Sequence, residues 1–189
     1  MEIGTITLLW DKDTPFKQYL ADHGFDCEVL TPKILAAPFF SWRARKLLIV
    51  PAGFGNPFFS GVLNDLRATS ALINNFVTAG GTLLVSGAFS SRDAYEWLPL
   101  KLKYVRAEQT VKIKRVKENR AATIVETDEC MCDGYFEEVE DGWDVIFAVK
   151  EDDDEKAILV VSEYGAGEII ATTIHEYPSE QFIAYCLRS

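Results

Sequence analysis

The sequence predicts an α/β protein: an open, mostly parallel sheet with helices on both faces, followed by an antiparallel C-terminal extension. Three observations predict it. Short apolar runs rich in β-branched residues at 3–9, 26–30, 46–50 and 82–86 alternate with helix-patterned stretches through short links, the order that parallel strands and their crossovers require. The run 3–9 reads as a strand covered on both sides. Beyond Lys103 the pattern changes to alternation punctuated by turn signals, which reads as antiparallel strands.

Each element has a local cause. Ile3 to Leu9 is the first strand, and Asp11, Asp13, Thr14 and Pro15 close a loop on a helix start. Thr14 suits the N-cap and Pro15 the first helical position, where a missing N–H costs nothing. Phe16, Tyr19 and Leu20 follow at helical spacing until His23-Gly24 ends the element. Asp26 to Leu30 is the second strand, Lys33 to Ala37 a short helix before Pro38, and Lys46 to Val50 the third strand, running into Pro51-Ala52-Gly53-Phe54-Gly55-Asn56-Pro57. Gly61 to Ala79 is the strongest helix, with Val62, Leu63, Leu66, Leu72, Ile73, Phe76 and Val77 in one stripe and Gly80-Gly81 as its stop. Thr82 to Ser86 forms the fourth strand and enters the turn Gly87-Ala88-Phe89-Ser90-Ser91. Lys103 to Glu126 and Trp143 to Ala171 make the extension, with turns at Asp141-Gly142 and Gly165-Ala166-Gly167. Glu151-Asp152-Asp153-Asp154-Glu155 reads as a solvated hairpin tip rather than a metal cage. Glu168 to Ile174 is a last strand, and Ser179 to Leu187 a helix that buries Phe182, Ile183, Cys186 and Leu187. The expectation is one domain over 1–189.

Bulk chemistry narrows the function. The 189 residues are 48% hydrophobic and 25% charged, enough apolar material for a substantial core. A net charge of −10 argues against a nucleic-acid partner, since phosphate binding needs basic surface. Lys101 to Arg120 nonetheless holds eight basic residues against Glu108 and Glu118, and Val111-Lys112-Ile113-Lys114 alternates as a solvated strand face does. Four cysteines, Cys27, Cys130, Cys132 and Cys186, are too few and too scattered for a disulfide framework. No apolar run has the length of a membrane span and no leader pattern opens the chain, so a reducing cytoplasm and no membrane partner are expected.

In open sheets with parallel strands, ligands gather beyond the carboxyl ends of the strands. Four loops land there, carrying Asp11, then Gly53, Gly55 and Asn56, then Ser90, then His175 with Glu176. A carboxylate, an amide, a hydroxyl and an imidazole in one cleft suit a small polar ligand. Cys130-Met131-Cys132-Asp133-Gly134-Tyr135-Phe136 reads as an apolar turn; Cys-x-Cys without a nearby His is incomplete for zinc, so no metal and no cofactor are expected. If the turn folds back over the sheet edge, Cys132 faces His175, although Asp128, Glu129 and Asp133 would hold its thiol protonated.

The strand entering Gly87-Ala88-Phe89-Ser90-Ser91 and the later strand entering His175-Glu176-Tyr177-Pro178-Ser179, in that order, resemble the class I glutamine amidotransferase-like superfamily, flavodoxin-like in fold. Gly80-Gly81-Thr82-Leu83-Leu84-Val85 is also similar to its non-catalytic branches, ThuA-like proteins and the trimerisation domain of certain β-galactosidases. The resemblance implies a Cys nucleophile in the first turn, a His-Pro-Glu pair in the second, and backbone N–H groups from the Gly53–Gly55 turn lining an oxyanion hole. Here Phe89 stands at the nucleophile position and Glu176 directly follows His175. Ser90 or Ser91 is expected to cap a helix after the elbow. Two functions stand open. One is a small-ligand-binding or self-assembling module without glutaminase activity; the other is a hydrolase or amidotransferase using Cys132 or Ser90 with His175.

Overall fold

Strand, helix, strand is built from residues whose caps are visible locally, and the computed structural model, which describes residues 5–151 and 154–188, places them so. Strand β1 (Thr5–Leu9) is followed by helix α1 (Pro15–Asp22), whose N-cap Thr14 accepts the Phe16 N–H through its hydroxyl. β2 (Cys27–Leu30), a 3-10 turn (Pro32–Ala36) and β3 (Arg45–Val50) precede α2 (Val62–Thr78). β4 (Thr82–Val85) then leads to β5 (Lys103–Lys112), β6 (Lys114–Arg115), a second 3-10 turn (Arg120–Ile124), β7 (Glu129–Glu137), β8 (Asp144–Glu151) and β9 (Asp154–Tyr164). β10 (Gly167–Thr172) and α3 (Glu180–Cys186), capped by the Ser179 hydroxyl, complete the chain. Ile3 and Gly4 of the first expected strand, and Asp152 and Asp153 of the acidic run, lie outside the described residues.

The sheet has ten strands and a main path β2-β1-β3-β4-β10-β9-β7-β5, with β8 against β9 and β6 against β8. Four pairings are parallel, β1 with β2, β1 with β3, β3 with β4 and β4 with β10. Five are antiparallel. The sheet is therefore mixed rather than mostly parallel. The late strands do not trail off as an appendage: β10 returns beside β4 and holds β5 to β9 to the same sheet.

Side-chain alternation divides the core in two. Leu48 and Val50 of β3, with Leu83 and Val85 of β4, pack with Leu66, Ile73 and Phe76 of α2. Leu47, Ile49 and Leu84 instead join Phe16 and Leu20 of α1 and Phe182, Ile183 and Cys186 of α3. Burying a Leu or Phe in such a layer is worth roughly 1.5–3 kcal/mol each.

The basic run resolves into neutral surface. Lys101 pairs with Glu138, Lys103 with Asp93, Arg106 with Glu108, Lys114 with Glu155, Arg115 with Glu118 and Lys117 with Asp144. Among the described residues no helix is long and apolar enough to cross a membrane.

Candidate functional site

The turn after β4 places Phe89 where the resemblance implies a Cys nucleophile. Phe89 adopts φ 51°, a left-handed conformation uncommon for a bulky residue, so its ring projects from the turn as a strained elbow residue does. The ring meets His175 edge-on at 5.7 Å between centroids and Phe59 at 5.8 Å, and the Arg106 guanidinium lies over it at 5.5 Å. No helix follows. Residues 92–97 form turns, beginning with the Ala94 N–H donating to Ser91 C=O, so the expected cap at Ser90 or Ser91 has no helix to serve. The dipole that would stabilise a thiolate or oxyanion is missing with it.

What holds the elbow comes from beneath. Asp133, fully buried, lies against Gly87 so closely that a Cβ built there would sit 1.6 Å from its Oδ2. Its Oδ2 has no hydrogen-bond partner, and Oδ1 has only a long contact of 3.3 Å from the Tyr104 hydroxyl, which donates at 2.9 Å to the Asp133 carbonyl. Burial pushes this carboxyl up to about 7, offset in part by the Tyr104 contact. The Tyr95 hydroxyl donates to Ser86 C=O at 2.8 Å. Burial, then the neighbouring Asp133, raises both phenols.

The Gly-rich loop after β3 does not supply an oxyanion hole. The Gly53 N–H donates to Gly87 C=O at 2.7 Å, and the Gly55 N–H to Ala88 C=O at 3.1 Å. Gly55 permits this approach, since a Cβ there would lie 2.6 Å from the Ser90 Cβ. Asn56 folds the loop by accepting the Phe58 N–H on Oδ1 at 3.0 Å. Asp11 accepts from the Ser60 hydroxyl at 2.7 Å and from the Gly61 N–H at 2.8 Å, closing the head of α2. Burial alone would raise its pKa, but these donors outweigh it and hold it below the usual carboxylate value.

Cys132 lies beside the last turn, but its side chain faces away from it. The expected turn at 130–136 is the middle of β7, which continues along the chain after β10: Asp133 N–H donates to Thr173 C=O, His175 N–H donates to Met131 C=O, and Cys132 pairs with Ile174. Cys132 and Ile174 share the α1/α3 core layer, whereas His175 is exposed. The contact with Cys130, 3.6 Å between sulfurs, and then burial hold the thiol well above its ordinary pKa, the reverse of what a nucleophile requires. Glu176 does not pair with His175 either; its Oε1 accepts the Met131 N–H at 2.7 Å.

A cleft of about 410 Å³ opens at this edge, between Trp10, Thr14 and Phe16 on one side and Ser86, His175, Glu176 and Tyr177 on the other. Of the candidate residues it takes only His175 and Glu176. Asp11, Gly53 and Gly55 instead join loops to one another, Asn56 folds its own loop and Ser90 packs beside Gly55, so none of them lines this cleft with His175. Trp10 and Tyr177 lie within the loops 10–14 and 175–179 that the edge argument places here, but it singled out their polar neighbours Asp11, His175 and Glu176 and passed over the rings. Among the described residues no three His, Cys, Asp or Glu side chains gather as metal ligands.

Compared by sequence, the chain matches no protein-family model and no curated protein. Solved structures are similar in fold. A cytoplasmic protein from Salmonella typhimurium aligns over 98% of both chains at TM-score 0.60 and 13% identity. A glutamine amidotransferase from Thermotoga maritima aligns over 93% of this chain and 76% of its own at TM-score 0.61 and 10% identity. A β-galactosidase from Bacillus circulans sp. alkalophilus aligns over 98% of this chain and 31% of its own, at TM-score 0.58 and 10% identity. At these identities the likeness shows the fold alone.

Proposed function

We propose that this protein is a degenerate member of the class I glutamine amidotransferase-like superfamily, without glutaminase activity, whose edge cleft binds a small ligand. The observation that carries this reading is Phe89: it holds the strained elbow conformation and places an inert ring against His175. The closed Gly53 and Gly55 N–H groups and the missing helix support it, because restoring a nucleophile alone would leave an oxyanion unstabilised. A relocated reaction would need Cys132, whose buried thiol keeps its proton, or Ser90, packed beside Gly55. Self-assembly is a second reading, favoured by Phe58 and Phe59, 92% and 50% exposed on the loop after β3.

Ammonia release from glutamine tests the first reading. Purified protein should give no more than the protein-free blank. Turnover that disappears in His175→Ala would overturn it. Light scattering of the native protein addresses the second: a monomer unchanged by Phe58→Ser removes self-assembly.

A further inference from the structure

We propose that the cleft beside His175 takes a small organic cation: an amine, quaternary ammonium or amidinium group carried on an apolar body. This deepens the ligand-binding reading above and rests on it. The sheet edge has three features that ordinarily receive anions, and leading donors of each are taken from within. At the head of α1, Pro15 has no N–H, the Phe16 N–H is taken by the Thr14 hydroxyl at 3.3 Å, and the Lys17 N–H by Thr14 C=O at 3.0 Å. At the head of α2, Asp11 takes the Gly61 N–H and the Ser60 hydroxyl takes that of Val62. The Gly53 and Gly55 N–H groups are spent on the carbonyls of Gly87 and Ala88.

Side chains repeat the pattern. No Lys or Arg lines the cleft among the described residues, and Arg106, over the Phe89 ring, is ion-paired with Glu108. The acidic group lining the cleft is Glu176. Its Oε1 is held by the Met131 N–H, which fixes the carboxylate in place, and Oε2 has no partner among the described residues. Aromatic rings complete the wall: the exposed Tyr177 ring stacks on buried Phe16 at 4.7 Å between centroids and 19° between planes, with buried Trp10 in the same lining. An exposed ring beside a fixed carboxylate attracts a cation that water holds weakly, and the net charge of −10 draws cations toward the surface. A carboxylate or phosphate would meet Glu176 there and no Lys or Arg among the described residues.

Benzamidine and benzoate, one ring with opposite charges, separate the alternatives when each is titrated against the whole protein by NMR. Benzamidine should saturate, with shifts centred on Trp10, His175 and Tyr177, and benzoate should bind at least about tenfold more weakly. Glu176→Gln keeps an acceptor for the Met131 N–H while removing the charge, and should weaken benzamidine by about fivefold or more. Tyr177→Leu should weaken it similarly by removing a ring face. The inference is overturned if benzoate binds as tightly, if benzamidine does not bind, or if both variants melt as wild type does and keep wild-type affinity. Ammonia release is read separately: a glutaminase would sink the non-catalytic reading whatever the probes do, and failure of the probes leaves that reading intact.

Discussion

Two turns leave adjacent strands of one sheet edge, the first after β4 and the second after β10, and they differ in what lies behind them. The first, Gly87 to Ser91, rests on a buried carboxyl and two buried tyrosines, and its backbone groups are occupied by the neighbouring loop. The second, His175 to Pro178, is tied to Met131 through His175 and Glu176 and to the Tyr19 hydroxyl through the Pro178 carbonyl, and it lines a cleft. The difference teaches that a strained turn can be shaped by packing while its neighbours' donors are spent elsewhere. Shape here comes from packing against Asp133, and the Gly53 and Gly55 N–H groups are engaged by the turn's own carbonyls.

The largest effect should come from the crowded side of this comparison. Gly87→Ala would drive a Cβ into the Asp133 carboxyl and should destabilise the protein by about 4 kcal/mol or more in denaturant unfolding, whereas Tyr177→Leu on the open turn should cost less than about 1 kcal/mol. Comparable losses from the two would erase the distinction between the turns.

Next comes pH. Asp133 keeps its proton up to about 7 in the fold, while an unfolded aspartate releases it near 3.8. Between those values the native state binds the extra proton, so stability from this group is complete below about 4, falls as pH rises, and levels off beyond about 7. The fall should amount to a few kcal/mol. Glu108 opposes ionisation and Arg106 favours it, so the window shifts if either is replaced. Asp133→Asn should remove this component from the pH profile measured by chemical denaturation; an unchanged profile would mean that the carboxyl is not confined as described.

A smaller loss, about 1–2 kcal/mol, is expected for Tyr104→Phe, which strips the donor from the Asp133 carbonyl. Smallest is Glu176→Gln, whose effect on unfolding should stay within about 0.5 kcal/mol because the Met131 N–H keeps an oxygen acceptor.

The parallel half of the fold was legible because its signals are local. Thr14-Pro15 caps α1, Gly80-Gly81 ends α2, and Ser179 caps α3, each within the residues it governs. β7 was not legible. Gly134 within Cys130 to Phe136 imitates a turn, and the pairing that makes it a strand, with β5 on one side and Thr173 to His175 on the other, comes from distant sequence. That same pairing decides the site: it turns Cys132 inward and carries Asp133 beneath Gly87. A lone acid inside an apolar segment was the available clue to Asp133, and only the partner strand gives it a meaning. His175 was found because a strand end fixes its place; the direction of Glu176 depended on a backbone N–H from β7.

Phe89→Cys tests the central claim most directly. It installs a thiol at the elbow, facing His175, and leaves the loop after β3 in place. Glutamine-dependent ammonia release by this variant, measured beside wild type and Phe89→Cys/His175→Ala, should stay at the protein-free blank, because the Gly53 and Gly55 N–H groups remain engaged and no helix faces the new thiol. Sustained turnover by Phe89→Cys that His175→Ala abolishes would contradict the account, since it would mean that the elbow still carries a working oxyanion site and lacks only its sulfur.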